Sequence, residues 1–144
     1  MVLEAYRTIE QVLQAYVVTH RELSALVGNR FFPMIVPQNV EIPYGRYQRI
    51  SSPRISSHSG PSCLASPRFQ VDWIGGAFAQ GLMGYGAAAE LAQIFRFALQ
   101  DFRGTLLTIR VDRIEFADER DFFDDDTKLV GRSQDLIIWH AEES

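Results

Sequence analysis

The chain has 144 residues, 47% of them apolar and 22% charged, with a net charge of −4. That is enough for one folded core, burying roughly two thirds of the unfolded-chain surface, and too apolar for a disordered chain. The single cysteine, Cys63, excludes an internal disulfide and a cysteine-rich zinc site. No run of about 18 apolar residues is present for a membrane span, and Glu4, Arg7 and Glu10 interrupt any apolar leader at the start.

In chain order, Ala5, Ile9, Val12, Leu13, Tyr16 and Val17 form the stripe of an amphipathic helix. "THRE" predicts a break, with Thr19 capping a second, shorter helix that ends at Gly28. "NRFFPMIVPQNVEIP" is β-like but cut by Pro33, Pro37 and Pro43, and "YGRYQRIS" follows as a strand. Residues 51–67, rich in serine and proline, have almost nothing to bury and predict an exposed loop or a long hairpin arm. "RFQVDWI" alternates, with Phe69, Val71 and Trp73 on one face of a half-buried strand.

"GGAFAQGLMGYG" is glycine-rich, but Gly81, Gly84 and Gly86 lack dinucleotide or Walker spacing and no GK[ST] follows, so it is expected to be a flexible entry to a helix. That helix has Ala87, Ala88, Leu91, Ile94, Phe95, Ala98, Leu99 and Phe102 on one face and Gly104 as its terminator. Leu107, Ile109 and Val111 then hold one parity and Ile114 and Phe116 the other, which predicts a bulge near Asp112. "SQDLIIWH" is the last strand. The expected fold is α+β over residues 1–144 as a single domain: one sheet of four to five largely antiparallel strands, with helices packed on one face.

Charge is unevenly spread. Residues 42–71 hold Arg46, Arg49, Arg54 and Arg68 and no acid, whereas residues 112–126 hold eight acids against Arg113 and Arg120. The basic stretch is too sparse for a dedicated nucleic-acid binder. Asp112 with Asp126-Thr127-Lys128 imitates the two carboxylates and lysine of metal-dependent nucleases, yet these residues sit where charge is densest and apolar signal absent, as in a solvated hairpin tip. His20, His58 and His140 have no local metal-site spacing, and no G-x-S-x-G nucleophile elbow occurs. An enzyme is not expected, and no cofactor is implied.

The segments "LSALVGNRFF", "IPYGRYQRIS", "RFQVDWI", "AAAELAQIFRFAL" and "DDDTKLVGRSQDLIIWH", in this order and spacing, resemble the tail-completion, or tail-terminator, proteins of long-tailed bacteriophages. The resemblance spans nearly the whole chain. It implies a structural virion protein, made in the host cytoplasm, that forms a ring, typically a hexamer, at the head-proximal end of the tail tube. Such a ring stops tube polymerisation and faces the neck proteins. The implied partners are further copies of the chain, the tail-tube protein and a neck or head-completion protein, with DNA only as the passing genome and no membrane. A neck adaptor or tail-tube subunit is the neighbouring alternative, and the nuclease built on Asp112, Asp126 and Lys128 the alternative of another class. Ring subunits meet through unlike patches, so the candidate contacts are the opposite charges: Arg46, Arg49, Arg54, His58 and Arg68 on one side, and Asp118, Glu119, Asp124, Asp125 and Asp126 on the other. Acids facing the lumen would be another use, since negative walls discourage phosphate from sticking.

Overall fold

A computed structural model describes residues 6–57, 60–77 and 82–142. The chain forms helices α1 (Ile9–Thr19) and α2 (Arg21–Val27), then strands β1 (Phe31–Pro33), β2 (Tyr44–Ser51), β3 (Arg54–Ser57), β4 (Gly60–Ala65) and β5 (Arg68–Ala77). Helix α3 (Leu82–Leu99) is followed by β6 (Gly104–Leu106), β7 (Ile109–Phe123) and β8 (Leu129–Ala141). The expected α+β class holds, but among the described residues the sheet has eight strands rather than four to five. The excess comes from segments too polar or too short to show alternation: β1, β3, β4 and β6.

The sheet runs β1-β2-β5-β8, with β7 on the far side of β8 and β6 beside β7. All neighbours are antiparallel except β1 and β2, which are parallel. Strands β3 and β4 continue β2 and β5 as an antiparallel pair, and only Leu64 and Ala65 of β4 reach β8. Residues 51–57 and 60–65 thus form the two sides of a hairpin arm whose outer half extends past the end of β8. The predicted slip appears as a register shift between Val111 and Arg113 at Asp112, with a second between Phe116 and Asp118.

The core lies on one face of the sheet. Phe69, Val71 and Trp73 of β5 and Leu136 and Ile138 of β8 meet Val12, Leu13 and Val17 of α1, Leu23 of α2 and Leu91, Phe95 and Leu99 of α3, all buried. Phe31 stacks on Trp73 and Tyr47, and Phe95 meets Trp73 edge-on, geometries that add to the area term.

Four local expectations are corrected. The first helix starts later, at a capping box between Thr8 and Gln11, and the second is capped by the His20 ring, whose Nδ1 accepts from Leu23 N. Thr19 instead ends α1, its hydroxyl donating to Ala15 O. Helix α3 ends before Asp101, which takes the left-handed φ of 59°, so Gly104 is not its terminator. The glycine-rich entry is partly helix: Gly84 lies inside α3 against β5, where a Cβ on Gly75 would meet Gly84 O at 1.9 Å and Ala88 N at 2.5 Å. Those glycines permit close packing of helix on strand.

Candidate functional site: the charged sheet face and its edges

With Phe69, Val71 and Trp73 turned to the helices, Arg68, Gln70 and Asp72 face the other way. Register aligns Arg46 (β2), Asp72 (β5), Ser133 (β8) and Arg120 (β7) in one row across this face. Gln48, Gln70, Asp135 and Asp118 form the next. Asp72 is 2% exposed although it faces away from the helices among the described residues. Arg46 donates to its Oδ2 from Nε at 3.0 Å and from a second guanidinium nitrogen, while Gln70 and the Ser133 hydroxyl donate to Oδ1. Such satisfaction is what allows a carboxylate to sit out of water. Asp135 lies between Arg68 and Arg120, each at 3.4 Å from Oδ2, and its buried Oδ1 has no hydrogen-bond partner among the described residues.

A second network holds the far end of the β7–β8 hairpin to the start of α3. Arg132 donates to Asp121 at 2.8 Å and to the Tyr85 hydroxyl at 2.8 Å, and that hydroxyl donates to Asp121 at 2.8 Å. The hydrogen bond from Arg132 is the main cause holding the Asp121 carboxyl below its ordinary value, opposed by burial and helped, to a lesser degree, by the Tyr85 hydroxyl. Glu119 joins from beside Asp121, 3.4 Å from Arg96 and 3.8 Å from Arg132.

The candidate contact residues are therefore dispersed, and several have partners within the chain. Arg46 and Arg68 hold Asp72 and Asp135. Arg49 pairs with Glu10 at 2.9 Å and lies over the Phe69 ring. Arg54 sits opposite Ala65 in the arm, and His58 lies outside the described residues. Asp118 pairs with Arg120 at 3.2 Å. Asp124 shapes the hairpin turn, its carboxylate accepting from Asp126 N and Thr127 N. Asp125 and Asp126 are exposed at the tip.

The nuclease-like trio is not assembled. Asp112 sits near the start of β7, opposite the end of β8, and Asp126 and Lys128 lie in the turn beyond its other end. The intervening strand measures roughly 35 Å. Among the described residues no group of three His, Cys, Asp or Glu is placed to hold a metal ion. His20 is a helix cap, and His140 is buried with Nδ1 2.9 Å from Ala141 O.

Asp72, Ser133, Asp135 and the Tyr85–Asp121–Arg132 group escaped sequence reasoning, because apart from Gln70 their partners lie 11 to 67 residues away and meet only once register is known. The one available signal was an acid, Asp72, inside an otherwise convincing strand.

Among curated proteins none matches the chain. A solved structure described as "Virion of native gene transfer agent (GTA) particle" contains a chain of similar fold, with a TM-score of 0.62 and 21% identity. The match covers 96% of this chain and 100% of that one. The family model described as "Tail completion protein gp17" matches residues 11–141, which span most of α1, all of α2 and α3, and the β7–β8 hairpin. The chain belongs to this tail completion family, whose members are structural proteins of the phage tail, and its place is the virion tail.

Proposed function

We propose that the chain closes the head-proximal end of the tail tube as a ring of identical copies, ends tube growth and presents a surface to the neck. Residues 1–144 act in it as one unit, without catalysis. The observation that carries this reading is the family match over residues 11–141, almost the whole chain. The fold shared with a chain of a gene transfer agent virion adds weight. So does the sheet: it is long, open at both sides, and walled by helices on one face only, a shape that suits lateral repetition better than it suits a closed pocket.

Gold-labelled antibody against the chain, applied to purified tails, tests the placement. Label at the head-proximal end alone is expected. Label along the tube would favour a tube subunit, and label remaining on heads after detachment would favour a neck adaptor.

A further inference from the structure

The two open edges of the sheet differ in charge. On one side, β7 from Glu115 to Phe122 has no strand partner away from β8 among the described residues, since β6 covers only Ile109–Val111 and Asp101 N donates to Ile114 O at 2.9 Å. This edge carries four acids and one arginine, and residues 117–121 are exposed without a break. On the other side, β1 covers only Gly45–Tyr47 of β2. The outer edge from Gln48 through β3 to Ser57 likewise has no strand partner among the described residues; it carries Arg54, Arg49 (paired with Glu10 of α1) and no acid.

The arm makes this second edge unusual. Beyond Leu64 it is a two-stranded ribbon without a third strand, and such a ribbon is marginal alone in water. An edge strand normally needs protection from association. The acids on β7 provide it against one partner only: a second β7 would bring like charge to like. They do not oppose a strand with arginines and no acids.

We propose that β7 of one copy adds to the outer β2–β3 edge of the next, so that the sheet continues from subunit to subunit. This rests on the ring reading above and names its contact. Opposite edges of one sheet make a heterologous contact that repeats, and the twist of the sheet turns each copy relative to the last. Backbone hydrogen bonds supply the attraction and charge selects the head-to-tail arrangement.

The test uses cysteine pairs in the full chain with Cys63→Ser. Ser56→Cys is combined in turn with Glu115→Cys, Ala117→Cys or Arg120→Cys, and a short bismaleimide is added to tails assembled with each variant. Within one copy the two edges are separated by three strand spacings, about 14 Å before any offset along the strands, so linkage reports neighbouring copies. A ladder of products beyond the dimer is expected from at least one pair, and none from the single-cysteine variants. Dimers from Ala117→Cys alone would mean a two-fold β7–β7 contact and overturn the proposal. A ring visible at the tail end with no ladder from any pair would overturn the edge contact and leave the ring standing. Absence of both ring and ladder would overturn the two together.

Discussion

The indole nitrogen of Trp73 donates to Gln134 Oε1 at 2.9 Å, and the Gln134 amide donates in turn to Ala92 O at 2.8 Å. One wholly buried side chain thus ties β5 and β8 to the backbone of α3. Truncating Gln134 would leave the Trp73 donor buried without a partner. Leaving such a group unpaired costs about 1–3 kcal/mol, and the cavity adds to it. Gln134→Ala is therefore expected to destabilise by about 3 kcal/mol in urea unfolding. A change under about 1 kcal/mol would mean the bridge is dispensable.

The contact of α3 with β5 makes an opposed pair of predictions for glycines. Gly75→Ala has no room, since the new carbon would meet α3 backbone on two sides, and about 3 kcal/mol or more should be lost as the helix is forced off the sheet. Gly86 lies in the same helix with nothing within 4 Å of a Cβ. Gly86→Ala should gain about 1 kcal/mol from helix propensity. Thermal melts of the two variants moving in the same direction would refute the packing account.

These examples mark where the sequence was legible. Phe69, Val71 and Trp73 announced their strand because burial on one face leaves a period of two. The slip at Asp112 was visible because Val111 and Ile114 are both buried. Residues 117–121 of β7 are exposed on both faces, so no alternation remains, and their strand character comes from pairing with β8. Glycine at 84 signals freedom in isolation, but its reason is Gly75, nine residues earlier and across a layer. The candidate site was legible as a charge imbalance only. That Arg46 and Arg68 are occupied by Asp72 and Asp135 follows from register, which composition does not carry.

That occupation separates two groups of candidate residues. Arg46→Ala removes two hydrogen bonds from a carboxylate that is 2% exposed. Gln70 and Ser133 remain, and Arg46 itself is partly exposed, so a loss of about 2 kcal/mol is expected rather than the larger cost of a fully stranded buried charge. Asp125→Ala and Asp126→Ala lie in an exposed turn and should stay within about 0.5 kcal/mol of the parent. Calorimetry with magnesium should give no tight, stoichiometric site for the parent chain. A tight site lost in Asp126→Ala would revive the nuclease reading.

The Asp121–Arg132 pair gives a pH dependence of definite sign. The carboxyl is held below its ordinary value in the folded chain. Its contribution is thus fully present above the unfolded value of about 4, and is lost as the pH falls through the folded one. Asp121 is half exposed, so the contribution is under about 1 kcal/mol. Asp121→Asn should melt slightly below the parent at pH 6, with the gap shrinking toward pH 3. A gap that widens on acidification would contradict the assignment.

The central claim, that the chain ends the tail tube, is tested most directly by the length of tails assembled with and without it, measured in negative-stain micrographs. With the chain, tails should share one length, carry an additional ring at the head-proximal end and join heads. Without it, the length distribution should spread upward and heads should remain separate. Tails of the normal length that join heads in its absence would contradict the account.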